Sequence, residues 1–337
     1  MKAPVFRRYL RTGSIVAALC NLATSHARAD AVSELASFSV FNNVDLAQLA
    51  KGEAKTQRGV PMSNPRFLSV QSCWVAPGSP EQVSSALRNW SPSGHPEMKV
   101  FIHANGSDFS RLKDAPGNGA VRSLVDATQK LSPELQVSKD EASRFSAAGA
   151  ESGGGMPPAV INFWTTILSA RSRAFASGGS SAQAPYDHTG QNIRPGDELS
   201  GMLNGQAKIR KQFAPLLENS GIGRGGSGKA DQFWELLEVD KKGVLTLGAS
   251  YNRAGGAASQ TADVLYYASG GFYAALTFHQ MWPVNLEGKP ATLVWRGDII
   301  SSAELSGLAG VERLGSESAM MKDVARSIRV FRRDTGK

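Results

Sequence analysis

Cysteine is nearly absent from this chain: 337 residues contain two, and one of them, Cys20, lies in a leader-like N-terminal stretch. With that stretch removed Cys73 stands alone, which excludes an intramolecular disulfide and a zinc site built from several thiolates. Cys73 falls in the apolar run LSVQSCWV, where a thiol serves as a small buried hydrophobe. A nucleophilic thiolate would need a neighbouring base and a depressed pKa. Histidine is scarce as well. Past the leader only His95, His103, His188 and His279 occur, and no two share the i, i+4 spacing of a zinc-binding helix. No metal and no cofactor are implied. No Gly-x-Ser-x-Gly elbow stands near a strand end to present a serine nucleophile, and no self-similarity recurs at a solenoid period. No apolar run approaches the roughly 20 residues that span a bilayer, so no integral membrane span is expected.

What is present begins with an export signal. Lys2, Arg7, Arg8 and Arg11 form a positive n-region, Ile15 to Leu22 a short apolar run, and Ala27-Arg28-Ala29 a small-x-small cleavage site. Residues 1–29 are read as a signal peptide, leaving about 308 residues that start near Asp30 and work in the periplasm or outside the cell. Arg7-Arg8-Tyr9-Leu10 resembles a twin-arginine signal, but Phe6 stands before the pair, and ordinary Sec export is favoured. Leu19 before Cys20 argues against a lipid anchor. The leader also distorts the charge. The chain has 37 Lys and Arg against 29 Asp and Glu; residues 1–29 hold five of the basic ones and no acid, so the rest carries 32 against 29, or +3. A nucleic-acid partner loses its main support.

The chain past the leader divides by pattern. Residues 30–66 read as an N-terminal arm with one short helix over Val44–Ala50. FLSVQSCWV from Phe67 is a strand; Ser79-Pro80-Glu81-Gln82 opens a helix with an N-cap, an N1 proline and a capping-box glutamine. Val83, Ala86, Leu87 and Trp90 follow at helical spacing. MKVFIHA (98–104) is a second strand, with Met98, Val100 and Ile102 expected on one face. Residues 106–230 turn helical and glycine-rich: helices are predicted over Ala120–Leu131, Lys139–Phe145, Pro158–Phe175 and Met202–Leu217. This segment is read as an insertion. Five β-rich runs then follow, Phe233–Val239, Val244–Tyr251, Val264–Ala268, Phe272–Met281 and Ala291–Ile300, with hairpin turns at 240–243 and 269–271. A helix over Glu317–Arg333 closes the chain, with Met321, Val324, Ile328 and Phe331 as its apolar stripe.

The order of strand, helix, strand, meander and long C-terminal helix resembles the helix-grip fold of START-like and polyketide-cyclase-like proteins. SVQSCWVAPGSPEQVSSALRNW is similar to the usual opening of that superfamily. The likeness covers about 67–104 and 231–333, so the helix-grip-like core is assigned to 67–105 and 231–333, with 106–230 as the inserted part. The fold class expected is α+β, a curved antiparallel sheet closed by a long C-terminal helix and carrying a large helical insertion. The resemblance implies a mainly apolar cavity between sheet and last helix for a small hydrophobic molecule, with Met321, Val324, Ile328, Phe331 and Trp90 lining it.

Chemistry-bearing residues are few. Gly223-Arg224-Gly225-Gly226-Ser227-Gly228-Lys229 nearly matches a phosphate-binding loop, but Ala230 replaces the Ser or Thr and a strand, not a helix, is expected next. His103 ends a strand with Asp108 shortly after it; His279 lies in another strand on the face opposite Phe278. On the last strand Trp295 and Gly297 share one face, Arg296 and Asp298 the other. Arg296 has the fork to hold a carboxylate or phosphate, though a salt bridge on the outer face is the commoner arrangement. Tyr186-Asp187-His188 reads as a solvated loop. Three readings result: a binder of a small hydrophobic or amphipathic ligand; an enzyme using His103, His279, Asp108 or Arg296 in that cavity; or an envelope protein that docks a partner through 158–175.

Overall fold

The computed structural model describes residues 31–52, 54–146, 155–218, 220–222, 230–255 and 258–336. The leader (1–29) and the phosphate-loop-like stretch 223–229 lie outside the described residues. Helices over 31–38 (α1) and Leu46–Lys51 (α2) come first, α2 started by Asp45, whose carboxylate accepts from the Ala47 and Gln48 backbone. Lys55–Arg58 (β1) and Phe67–Pro77 (β2) are antiparallel neighbours. Pro80–Asn89 (α3) starts with the expected capping box between Ser79 and Gln82. Val100–Asn105 (β3) follows, then the helices Gly119–Gln129 (α4), Lys139–Ala142 (α5), Pro158–Gly178 (α6), Pro195–Gly205 (α7), Ala207–Gln212 (α8) and Ala214–Leu217 (α9). The strands Asp231–Val239 (β4), Lys242–Gly255 (β5), Ala258–Ala268 (β6), Ala274–Leu286 (β7) and Lys289–Ser301 (β8) lead to the helix Gly310–Thr335 (α10).

All eight strands form one curved antiparallel sheet in the order β1-β2-β8-β7-β6-β5-β4-β3. The fold is α+β. β2 and β3, early in the chain, pair with β8 and β4, so both blocks belong to one sheet. Residues 106–230 leave from the end of β3 and return at the start of β4, and Asn105 pairs with Phe233. The segment is thus a very long connection between two hydrogen-bonded neighbours. Closing such a loop costs only logarithmically more as it lengthens.

Strand alternation gives the sheet two different faces. One carries Leu245, Leu247, Val264, Tyr266, Phe278 and Trp295 and is covered by α1, α4 and α6–α9 in one continuous apolar core. Phe175 of α6 stacks on Tyr266 at 3.9 Å. The apolar side chains of α6, among them Val160, Trp164 and Leu168, are buried against that core and leave no exposed apolar face. The other face is covered by α3 and α10, through Leu68, Val70, Trp74, Val83, Val324 and Ile328. Among the described residues no helix is long and apolar enough to cross a membrane.

Four expectations are corrected. The helix predicted over 202–217 is broken into pieces: Pro215 cannot continue a helix begun at Ala207, because it lacks an N–H and its ring would strike the preceding turn. The break at Phe213 turns its ring onto Phe278 at 4.8 Å and Trp295 at 5.9 Å. Met98, Val100 and Ile102 do not share a face. A bulge between Val100 and Ile102 reverses the alternation, so Ile102 enters the apolar core while His103 turns to the opposite side. The loop at Tyr186 is not solvated: the Tyr186 ring is buried, and its hydroxyl donates to the Tyr273 carbonyl. The fourth concerns the arm, which also supplies α1 and the edge strand β1, whose sequence KTQR is too polar and short to read as a strand.

The layer that covers the apolar face is pinned by a buried ion pair. Arg171 of α6 donates to Glu141 of α5 at 2.6 Å, and its guanidinium lies 4.4 Å from the Tyr267 ring of β6. Burial disfavours charge on Arg171, but Glu141 together with Tyr267 and Tyr186 outweighs it, and the guanidinium pKa is raised. Removing one partner strands a buried charge. Glu141→Ala should therefore cost about 3–5 kcal/mol in urea unfolding, whereas Arg88→Ala, in the exposed pair with Asp231, should cost about 1 kcal/mol or less.

Candidate functional site

Between the sheet and the two helices α3 and α10 the packing is incomplete. Over β2 the gap is filled by Val70, Trp74, Val83 and Val324, but over β3–β8 a cavity of about 720 Å³ remains. Its wall on the helix side is apolar: Leu87 and Trp90 at the end of α3, Ile328 and Phe331 of α10. Phe233 flanks it from β4, its ring lying over Gly248 of β5 so closely that a Cβ there would meet the ring at 2.2 Å. Trp90 meets Phe331 edge-on at 5.9 Å.

The floor is polar, and the alternation of β5–β8 makes it so. One cross-strand row runs Asn252, Thr261, His279, Arg296, and the next Ser250, Asp263, Thr277, Asp298. Arg296 is forked onto Asp298, with Nε 2.8 Å and Nη2 2.7 Å from its carboxylate oxygens, and its Nη1 reaches the Ser327 hydroxyl of α10 at 3.3 Å. Thr277 also donates to Asp298. Asp298 is buried and raises the Arg296 pKa against the opposing effect of burial. His279 is buried, its Nδ1 3.0 Å from the Thr261 hydroxyl and its Nε2 without a hydrogen-bond partner. Burial, with Arg296 adding to it, pushes the imidazole well below its ordinary pKa and keeps it neutral. Trp74 lies edge-on to His279 at 6.2 Å, and its Nε1–H is likewise unpartnered. Asp263 accepts from the Ser250 hydroxyl and keeps surface open to the cavity. Burial raises its carboxyl pKa, opposed by Ser250 and by Arg296. At the β3 edge His103 Nδ1 meets Glu235 at 2.9 Å.

The mouth is tied shut on one side. Asp334, near the end of α10, accepts from Trp90 Nε1 and lies against His95 Nε2, both at 2.8 Å, while Arg333 holds Glu97 at 2.9 Å. These contacts hold the 90–98 segment over the helix end.

Of the residues singled out from sequence, the cavity brings together His103, His279, Arg296, Trp90, Ile328 and Phe331. Val324 and Met321 instead pack with the cluster that closes the other end. Asp108 lies outside; it is exposed and accepts from the Ser110 backbone and hydroxyl. Arg296 does pair with Asp298, but on the enclosed cavity side rather than on an outer face, and the pairing consumes its fork. Sequence reasoning missed Asp263, Glu235 and Trp74. The signal for Asp263 lay in ASQTADVLYYA, where Ser259, Thr261 and Asp263 recur every second residue and so line one face of a strand. Cys73 is buried on the opposite face, and burial pushes its thiol up to about 12, which rules against a thiolate role. Among the described residues no group of three or more His, Cys, Asp or Glu is placed to hold a metal.

The raised pKa of Asp263 has a consequence for stability. A carboxyl whose folded value exceeds its unfolded value contributes fully below the unfolded value and loses that contribution as pH rises. Asp263→Asn cannot ionise and keeps an oxygen for Ser250. Its melting temperature at pH 7 should exceed that of the wild type, and the gap should close below pH 3.8, the ordinary carboxyl value; melting curves across this range check it. Comparison with protein-family models, curated proteins and solved structures finds no match to this chain, so the cavity's own geometry carries the functional reading.

Proposed function

We propose that this is an exported protein that binds a small amphipathic molecule in the cavity between the sheet and helices α3 and α10. One observation carries the reading: the cavity opposes an apolar wall of Leu87, Trp90, Ile328 and Phe331 to a polar floor of Arg296, His279, Thr261 and Asp263. An apolar core would leave no such gap, and a purely apolar ligand would leave the floor's buried polar groups unpaired. A helix-grip relationship is supported by the strand–helix–strand opening, by the return of β8 beside β2, and by α10 lying across the same face as α3. Export is supported by the composition of residues 1–29. The envelope-docking alternative gains nothing from α6, whose apolar residues are already covered.

A second reading, acid–base catalysis on the same ligand, is favoured by one detail. Asp263 is shifted towards its neutral acid and His279 towards its neutral base on adjacent rows of the floor. Turnover of a bound ligand that is lost in both Asp263→Asn and His279→Gln would move the protein into that class.

Phe331 tests the binding reading. In a solid core Phe331→Ala would cost roughly 3–5 kcal/mol. At a cavity wall it should cost distinctly less and weaken uptake of a fluorescent lipid probe, as thermal unfolding and titration of the one variant will reveal. A full core penalty, with no probe uptake even by the wild type, would remove the reading. Export is tested separately: N-terminal sequencing of protein from the envelope fraction should begin at Asp30 or within two residues of it, and an intact Met1 there would overturn it.

A further inference from the structure

The charges at the cavity do not balance. Arg88 is paired with Asp231 at 2.9 Å and Arg296 with Asp298 at 2.7 Å, and Glu235 has a hydrogen-bond partner in the His103 ring at 2.9 Å. Asp263 is different. Its hydrogen bond comes from a neutral hydroxyl, that of Ser250, and no basic side chain of the described residues lies within ion-pair distance of it. Arg296 attracts it only from farther off, and both oxygens of Asp298 already hold that guanidinium. A carboxylate enclosed by protein, open to a cavity and without a counter-ion is destabilised unless something brings the opposite charge.

A second observation points the same way. Buried His279, one cross-strand row away, has Nδ1 against the Thr261 hydroxyl and leaves Nε2 unpartnered. When the Nδ1–H donates to Thr261, Nε2 keeps an unshared lone pair in a side chain that lines the cavity. The walls suit the same guest, because Trp74, Trp90, Phe233 and Phe331 offer aromatic rings, whose faces attract cations. An anionic head would instead meet Asp263 and Glu235, with the guanidinium of the floor already engaged by Asp298.

Building on the cavity reading, we infer that the ligand is an organic cation: an amine on an apolar frame, its ammonium paired with Asp263 beside His279, its frame against Trp90 and Phe331. The ammonium supplies the charge that the floor lacks, and the pair is made inside the cavity, where a charge-assisted hydrogen bond is strong.

Three probes of equal chain length separate this inference from the reading beneath it: decylamine, decanol and decanoate, titrated into the full mature protein at pH 7 and followed by calorimetry. Decylamine should bind at least about tenfold tighter than decanol, the return expected from one charge-assisted contact, and decanoate should bind weakest. In Asp263→Asn, with folding verified by its melting curve, the preference for amine over alcohol should vanish. Equal affinity for amine and alcohol, tighter binding of decanoate, or a preference that survives Asp263→Asn would overturn the cation inference and leave the cavity reading standing. Failure of all three probes to bind would remove both.

Discussion

The antiparallel ladder between β2 and β8 is the contact on which the rest of the molecule depends. It runs over all eleven residues of β2, from Phe67 opposite Ser301 to Pro77 opposite Ala291. β2 leads directly into α3, and β8 leads through residues 302–309, which hold one 3-10 helix (Glu304–Gly307), into α10. Pairing these two strands therefore brings the two helices that cover one face of the sheet to the same place, though they lie at opposite ends of the chain. The same ladder sets Ser72 beside Arg296 and Val70 beside Asp298, which fixes the depth at which the buried ion pair sits. A slip of one residue would turn Arg296 and Asp298 into the apolar core and Trp295 into the cavity.

From that register follow two unlike faces. The aromatic face cannot remain open to water, and the segment 106–230 covers it. The segment leaves and rejoins the sheet at neighbouring strands, so its length adds little closure cost, and its helices bury Trp164, Phe175 and Phe213 against the strands. The polar face is under a different constraint. α3 and α10 supply apolar side chains there, yet the strands supply Asp263, His279, Arg296 and Asp298. Arg296 and Asp298 satisfy each other, and Ser327 ties them to α10. The groups left over cannot be packed against hydrocarbon without desolvation cost, and the space above them stays open.

Much of the local structure was legible in the sequence because local chemistry decides it. Ser79-Pro80-Glu81-Gln82 states its capping box outright, and the two residues Asp240 and Lys241, both with positive φ, turn β4 into β5 where the sequence placed a hairpin. Trp295 and Arg296 fall on opposite faces as simple alternation requires. The bulge at β3 was not legible. VFIHAN opens on three consecutive apolar residues, so its pattern assigns neither face, and only the pairing of Val100 with Leu237 and Ile102 with Leu236 reveals the extra residue. That single irregularity is what aims His103 at the cavity. The break at Phe213 was hidden in a similar way, since the helical periodicity continues past it, although Pro215 was there to be weighed.

By itself, then, the sequence determined the α+β class, the start of α3, the amphipathic stripe of α10, and the pairing of opposite tendencies on β8, because each rests on contacts between residues near one another in the chain. It also placed His103, His279 and Arg296 among the chemically capable residues. Only the tertiary structure decided that these face one cavity, that Arg296 is spent on Asp298, and that Asp263 is left without a counter-ion. Those outcomes depend on strand register across β5–β8 and on where α10 stops filling the gap. Both are settled by contacts between segments far apart in sequence, which no local pattern records.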